Sequence, residues 1–179
     1  HPELRVIGYD GPEPVEDGVT FAENALIKAR AAAAHTGLPA LADDSGICVD
    51  VLGGSPGVFS AYWAGQRKDA QANLELLLDQ LRDVADPHRG ATFVSTIALV
   101  VPGADGASAI EHVVVGRWPG RLAHAASGEG GFGYDPIFVP DGQEPGQERS
   151  VGEWDPARKN AESHRARAFN VLMPLLGGL

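Results

Sequence analysis

The stretch PALADDSGICVDVLGG, residues 39–54, decides the fold and contains the first candidate site. Apolar residues lead into the adjacent carboxylates Asp43 and Asp44, and an apolar alternation resumes after Ser45 and Gly46. This pattern predicts a strand, an acidic turn and a second strand. Carboxylates at the end of a strand in an α/β sheet point into the crevice where such folds bind ligands, and a pair of them suits Mg²⁺. The alternative is an Asp-Ser-Gly turn with solvated acids.

The composition is that of a globular chain, with 179 residues of which 44% are hydrophobic and 21% are charged. This length fits one domain, or two small lobes sharing a core. No run of about 18 apolar residues occurs, so we expect neither a membrane-spanning helix nor a membrane partner. The single cysteine, Cys48, fits a reducing compartment, and we expect a cytoplasmic protein. Because the chain opens at His1 rather than at a methionine, an upstream targeting segment is an open alternative.

The formal net charge of -10 at pH 7 argues against binding of long nucleic acid, which needs a basic surface. A small phosphorylated ligand is compatible with this net charge, because the electrostatic potential at a binding site is determined locally by a bound divalent cation and a basic cluster. Such a cluster lies near the C-terminus and contains Arg149, Arg158, Lys159, Arg165 and Arg167. Its alternative explanation is a solvated helix face.

Regular elements are predicted from apolar periodicity, capping residues and turn signals. The sequence predicts strands over residues 4–9, 92–101 and 110–115, and the last two are predicted to form a hairpin. It predicts helices over residues 20–35, 69–84 and 156–172, with a break of the last helix at Ser163. Thr20 and Glu23 match a capping box, which by itself explains Glu23. The functional alternative is that Glu23 is a metal ligand or orients a metal-bound water, and sequence spacing leaves both open.

The stretch GEGGFGYDPIFVP, residues 128–140, surrounds Phe132 and Tyr134 with glycines. Glycine beside an exposed aromatic ring lets a flat ligand such as a nucleobase stack on that ring. The alternative is a tight connection between strands with both aromatics folded inward. Further on, His164 and Arg165 project about 100° apart on a helix and so could line one wide cleft; otherwise His164 is a satisfied surface or core histidine.

Four stretches together carry a resemblance that covers nearly the whole chain. They are TFAENALIKA at residues 20–29, LADDSGICVDVLGGSPGVFSA at residues 41–61, GEGGFGYDPIFVP at residues 128–140 and ARKNAESHRARA at residues 157–168. In order and spacing the chain resembles the inosine triphosphate pyrophosphatase family, which hydrolyses non-standard purine nucleoside triphosphates. One stretch would be weak support, whereas four in register are very specific.

The resemblance implies a role for each matching residue. Asp44 would be the catalytic acid/base and a Mg²⁺ ligand, Glu23 would contribute to the metal and water network, and Asp43 would support them. Phe132 would stack on the base. The substrate-binding residues would be Ser45, Phe132, Gly133, Tyr134, Asp135, Lys159, His164 and Arg165. The implied reaction is Mg²⁺-dependent hydrolysis of ITP, dITP and XTP to the monophosphate and pyrophosphate, which cleanses the nucleotide pool, and the implied assembly is a homodimer.

Elementary chemistry agrees with this assignment. Water must attack the α-phosphorus, Mg²⁺ can neutralise the charge of the leaving pyrophosphate, and a carboxylate such as Asp44 can orient the water or take its proton. Arg165 or a protonated His164 would donate to the 6-oxo group of hypoxanthine or xanthine, and would meet the 6-amino group of adenine unfavourably. Guanine also carries a 6-oxo group, so its rejection has no account in the sequence.

The implied fold is α/β, a mixed twisted sheet with flanking helices and two lobes around a central substrate cleft. The family begins with a strand that runs into a TGNxxK-type loop, and no such segment occurs in the sequence. We expect residues 1–179 to form a single domain without this N-terminal strand-loop-helix, and we expect the missing segment to precede His1; the alternative is a protein that lacks this phosphate-binding loop. The alternatives are a nucleotide-binding module without turnover and a pyrophosphatase with a different base preference.

Overall fold

The computed structural model describes residues 4–103 and 108–178 and is built on one four-stranded sheet with helices on both faces. Its strands are β1 (Ala40–Val49), β2 (Gly90–Val101), β3 (Ile110–Leu122) and β4 (Phe138–Pro140), and its α-helices are α1 (Phe21–Thr36), α2 (Ala70–Gln80), α3 (Pro156–Glu162) and α4 (His164–Leu172). The predicted α/β class is confirmed. The strand order is β1-β2-β3-β4 and every described pair is antiparallel, so the described strands include none of the parallel pairs that a mixed sheet would contain.

Helix α1 begins and ends where the sequence predicts. The Thr20 hydroxyl accepts a hydrogen bond from the Glu23 N–H at 3.2 Å, and Glu23 Oε2 accepts from the Thr20 N–H at 3.0 Å, which completes the capping box. The helix is closed by Gly37, whose φ of 69° lies in the left-handed region that glycine adopts without a Cβ penalty.

Strand β1 runs without interruption through the acidic pair, so the predicted acidic turn is wrong. Asp43 lies opposite Ile97 of β2, and Asp44 lies opposite Thr96. Pairing along a long, almost fully buried neighbouring strand outweighs the local turn preference of Asp-Ser-Gly, because strand preference depends on tertiary context. Consecutive side chains of a strand point to opposite faces of the sheet, so the two carboxylates are separated by the sheet itself.

The predicted strand at residues 4–9 is also wrong. These residues have no regular secondary structure, and Val6 is 81% exposed. An apolar run forms a stable strand only where neighbouring strands complete its hydrogen bonds and bury its side chains, and no described strand pairs with this segment.

The predictions for α2 and for the hairpin agree better with the structure. Helix α2 begins after its N-cap Asp69, and β2 and β3 form the expected hairpin. Part of the hairpin loop, residues 104–107, lies outside the described residues.

The core is divided by the sheet into two layers and an end cluster. On one face, α1 packs its alanines on β2 through Ala25, Ala29, Ala33, Ala98 and Val100. On the other face, α4 packs through Ala168 and Leu172 against Ile97, Leu99 and Val114. Gly116 lets α4 approach β3 closely, since a Cβ there would clash with the carbonyl oxygen of His164. A third cluster holds the leucines of α2 against β1, β3 and β4. No helix of the described residues is long and apolar enough to cross a membrane.

Candidate active site

The two acidic side chains of β1 face different surroundings. Asp44 Oδ1 accepts a hydrogen bond from Lys28 Nζ of α1 at 2.8 Å, whereas Asp43 Oδ2 accepts from Arg165 Nε of α4 at 3.2 Å. The alternation of a strand therefore assigns Asp44 to the α1 face and Asp43 to the α4 face. The candidate site consists of two halves that meet at β1.

On the α1 face, a lysine lies between two carboxylates. Lys28 Nζ is 2.8 Å from Asp44 Oδ1 and 2.8 Å from Glu16 Oε2. Burial raises the pKa of Asp44 above its ordinary value, and the hydrogen bond from Lys28 opposes that rise only in part. A carboxylate whose pKa is raised towards neutrality is better suited to take a proton from water.

Lys28 is a functional candidate that the sequence reasoning missed. It follows the buried Asn24 by four residues, so both side chains lie on one face of α1. The available signal was the i, i+4 spacing of Asn24 and Lys28 in an alanine-rich helix, which places the two polar side chains on one helix face. What the sequence did not contain is the identity of the strand residue facing it, which is Asp44.

Glu23 serves the helix cap in this structure. Its Oε2 accepts hydrogen bonds from the Val19 N–H at 2.8 Å and the Thr20 N–H at 3.0 Å. The bond from Val19 is the main reason why the pKa of Glu23 lies below its ordinary value. The capping interpretation is therefore confirmed, and within the described part of the chain no hydrogen bond or ion pair joins Glu23 to Asp44.

The donor chemistry around Asp44 fits a hard cation, since Asp44 and Glu16 already converge on one positive group, the Lys28 ammonium. Both supply the oxygen ligands that Mg²⁺ prefers, and Mg²⁺ commonly keeps several waters and needs few protein ligands. Within residues 4–103 and 108–178 there is no cluster of three or more His, Cys, Asp or Glu side chains arranged to hold a metal. Any metal here would thus rely on water and substrate oxygens for most of its coordination.

On the α4 face, the predicted cleft corresponds to a cavity of about 830 Å³. Such a volume suits a small-molecule ligand. All eight residues predicted to bind substrate line it, namely Ser45, Phe132, Gly133, Tyr134, Asp135, Lys159, His164 and Arg165. Asp44 and Glu23 are not among the residues that line this cavity. Tertiary packing thus brings together residues that are separated by up to 120 positions of sequence.

The two aromatic residues of the glycine-rich loop have different environments. Phe132 is 79% exposed at the cavity, while its N–H donates to Asp135 Oδ2 at 2.5 Å and so closes the turn beneath it. Tyr134 is buried and donates its hydroxyl to the Ser60 carbonyl oxygen at 2.8 Å. Burial raises the pKa of Tyr134. Only Phe132 is free to stack on a ligand, whereas Tyr134 anchors the loop, as the inward-folded alternative expects.

Asp135 also joins the loop to α3. Its side chain is 3% exposed, and its Oδ2 accepts a hydrogen bond from Lys159 Nζ. A buried carboxylate is costly unless it is paired and hydrogen-bonded. Lys159 supplies the opposite charge and the loop backbone supplies a donor, so this pair holds the aromatic loop and α3 on the same side of the cavity.

The junction of α3 and α4 presents His164 and Arg165. Ser163 ends α3 and caps α4, its hydroxyl accepting from the Ala166 N–H at 3.3 Å, so the predicted break at Ser163 is confirmed. The His164 ring is 8% exposed and stacks on Phe93, with centroids 4.8 Å apart.

Burial, with a smaller contribution from the neighbouring Arg165, lowers the pKa of His164 to about 4. The expectation of a protonated His164 is therefore wrong at neutral pH, because the desolvated ring is surrounded by aromatic side chains and cations. Its Nδ1 is buried without a hydrogen-bond partner among the described residues. A neutral imidazole can offer a ligand one N–H donor and one acceptor.

Residues 3–175 of the chain match the Ham1 family. A dITP/XTP pyrophosphatase of Leifsonia xyli subsp. xyli is 60% identical over 178 residues, which are 99% of this chain and 85% of that protein. A dITP/XTP pyrophosphatase of Streptomyces coelicolor is 56% identical over 92% of this chain and 78% of its own length.

Solved structures give the same result. A HAM1 protein from Coxiella burnetii superposes with a TM-score of 0.81 at 42% identity, over 94% of this chain and 82% of that chain. A dITP/XTP pyrophosphatase from Mycobacterium abscessus superposes with a TM-score of 0.75 at 49% identity, over 94% and 81%. The resemblance to the pyrophosphatases of non-standard purine nucleotides is thereby confirmed, and the chain belongs to the Ham1 family.

Proposed function

We propose that this protein is a nucleoside triphosphate pyrophosphatase that hydrolyses dITP, ITP and XTP to the monophosphate and pyrophosphate, and so removes non-standard purines from the nucleotide pool. The observation that carries the proposal is the single cavity lined by all eight expected nucleotide-binding residues, beside the strand that presents Asp44. Further support comes from the relatives named dITP/XTP pyrophosphatase at 60% and 56% identity.

The base would be bound on the α4 face. Phe132 is an exposed ring on which a purine can stack, a contact that contributes about 1 to 3 kcal/mol per base. Arg165 lies at the first turn of α4 with Nε already bonded to Asp43, so its terminal nitrogens are available to a 6-oxo group. A neutral His164 supplies a second donor whose direction is set by stacking on Phe93.

Because β1 is an edge strand of the described sheet, the triphosphate would pass over it to the α1 face, where Lys28 and Asp44 lie together. Asp44 would orient the attacking water or take its proton, and Lys28 would offset phosphate charge as the substrate displaces its carboxylate partners. We propose that Asp44 and Glu23 hold Mg²⁺, with Glu23 using Oε1, which accepts no hydrogen bond within the described residues. Glu16, the other carboxylate paired with Lys28, would supply a further oxygen donor. A bound Mg²⁺ would supply charge neutralisation at the leaving pyrophosphate.

The deciding experiment measures pyrophosphate release from dITP, XTP, dATP, dGTP and dUTP with Mg²⁺ present. We expect turnover of dITP and XTP, and we expect Asp44→Asn to lower kcat by about 10² to 10⁴, the usual contribution of a general acid or base, while KM changes much less. Asp50→Asn, an exposed carboxylate just beyond β1, is the matched control and should retain wild-type turnover.

Three results would contradict the proposal. Release of phosphate instead of pyrophosphate would place the cleavage at another bond. Tight binding of dITP without turnover would favour the nucleotide-binding module. Preferential turnover of dUTP would favour a pyrophosphatase with a different base preference.

Family membership leads us to propose in addition a single-domain homodimer that acts in the cytoplasm. The expected molar mass in solution is twice that of the 18.7 kDa chain. Light scattering coupled to size-exclusion chromatography measures it directly, and a monomer across the micromolar range would contradict the dimer.

A further inference from the structure

The Asp43 carboxylate accepts hydrogen bonds from residues of two strands and one helix. Its Oδ1 accepts hydrogen bonds from Ser45 Oγ at 2.8 Å and from Ser95 Oγ at 2.5 Å. Its Oδ2 accepts from Ser45 Oγ at 2.7 Å and from Arg165 Nε at 3.2 Å. Ser45 and Ser95 lie opposite each other in the β1–β2 register. The carboxylate is therefore held between two hydroxyls of adjacent strands, with Arg165 as its only cationic hydrogen-bond partner among the described residues.

Arg165 needs such a partner. Its side chain is 61% exposed, and a free arginine side chain samples many rotamers and loses that freedom when it becomes ordered. The bond from Nε to Asp43 restricts the orientation of the guanidinium. The two terminal nitrogens make no hydrogen bond within the described part of the chain, and they remain available at the cavity.

The adjacent Asp44 takes no part in this arrangement. It lies on the other face of the sheet with Lys28, so the hydrogen bonds of Asp43 and Asp44 share no residue. A change at Asp43 can thus alter the base half of the site while leaving the pair of Asp44 and Lys28 in place.

We propose that Asp43 is a positioning residue for purine selection, which holds Arg165 in the orientation that donates to a 6-oxo group and not to a 6-amino group. This inference rests on the function proposed above and goes beyond it, because it separates the two adjacent carboxylates into one that serves hydrolysis and one that serves base discrimination. A guanidinium held at Nε presents donors in a fixed direction, whereas a released one reorients and accommodates adenine more readily.

The test compares kcat/KM for dITP and dATP in the wild type, Asp43→Asn, Arg165→Gln and the double variant. We expect Asp43→Asn to lower the dITP/dATP ratio of kcat/KM at least tenfold, mainly through KM for dITP, with kcat within about threefold of wild type. In the Arg165→Gln background the same substitution should change the ratio by less than about twofold, because the residue through which it acts is gone.

Glu111→Gln is the matched control. Glu111 also accepts hydrogen bonds from a guanidinium, that of Arg30 at 2.7 Å, but lies outside the cavity-lining set. It should leave the dITP/dATP ratio unchanged. If Asp43→Asn does not fold, Ser95→Ala removes one anchoring bond of Asp43 without removing the charge, and a lower ratio in that variant is expected instead.

The inference is overturned if kcat falls while the ratio stays constant, since Asp43 would then act in hydrolysis. It is equally overturned if Asp43→Asn lowers the ratio as much without Arg165 as with it, or if Ser95→Ala leaves the ratio unchanged when it is the only folded variant. Should the wild type not hydrolyse dITP at all, the proposed function fails separately. Calorimetry with dIMP and dAMP then tests the inference by binding alone, and an unchanged preference in Asp43→Asn overturns it.

Discussion

The imidazole of His164 lies flat against the ring of Phe93, with centroids 4.8 Å apart and planes inclined by 10°. Burial in this position lowers the pKa of His164 to about 4, compared with its ordinary value of 6.5. Between these pH values the unfolded chain binds a proton that the folded protein does not. The stability contributed by neutral His164 is therefore fully present above about pH 6.5 and is lost as the pH falls towards 4.

We expect His164→Gln to weaken this pH dependence. In the wild type, the free energy of unfolding should fall between pH 7 and pH 5 by about 2 kcal/mol more than it does in the variant. Urea unfolding at both pH values measures the difference. His88→Gln replaces an exposed histidine and is the control, which should keep the wild-type dependence. An identical pH dependence in His164→Gln would show that the buried ring is not the group responsible.

The buried pair of Asp135 and Lys159 predicts a stability effect. Lys159→Met leaves a carboxylate that is 3% exposed without its cation, and we expect a loss of about 3 kcal/mol in the free energy of unfolding. Adding Asp135→Asn should recover part of that loss, because the uncompensated charge is removed. Arg82→Met, which breaks a pair whose side chains are 74% and 61% exposed, should cost less than about 1 kcal/mol. Additive losses in the double variant would contradict the coupling.

The exposure of Phe132 predicts that its removal weakens substrate binding without lowering the stability of the fold. Its ring is 79% exposed, so Phe132→Ala should leave the melting temperature nearly unchanged. KM for dITP should rise by about tenfold or more, since base stacking contributes about 1 to 3 kcal/mol. Phe59→Ala, at a ring that is 54% exposed and outside the cavity-lining set, should leave KM unchanged. A melting temperature lowered together with an unchanged KM would mean that Phe132 supports the loop instead of the ligand.

Substitution of Glu23 can distinguish its capping role from its proposed role as a metal ligand. Oε2 accepts both cap hydrogen bonds, which leaves Oε1 for a cation. Glutamine preserves a capping box, so Glu23→Gln should leave the free energy of unfolding nearly unchanged. The Mg²⁺ concentration for half-maximal activity should increase, because a charged oxygen ligand is lost. If this variant keeps the wild-type Mg²⁺ dependence, Glu23 caps α1 and is not a metal ligand.

The elements that the sequence predicted well have local causes. The capping box of Thr20 and Glu23, the left-handed Gly37 and the Ser163 break each depend on residues a few positions apart. These features need no knowledge of what packs against them. The eight predicted residues that line the cavity were expected only through the family resemblance, since the glycine-rich loop and the basic helix taken alone left an inward-folded loop and a solvated helix face as open alternatives.

The remaining features depend on the tertiary structure. The acidic pair became part of a continuous strand because β2 supplies a complete set of hydrogen-bonding partners, and the alternation of that strand then directed Asp44 to Lys28 and Asp43 to Arg165. The charge state of His164 depends on burial against Phe93, which no spacing in the chain encodes. The sequence by itself determined the family, the boundaries of α1 and the break at Ser163. Which carboxylate faces which cation was decided only by folding, because it depends on the faces of a sheet whose partner strand lies about fifty residues away.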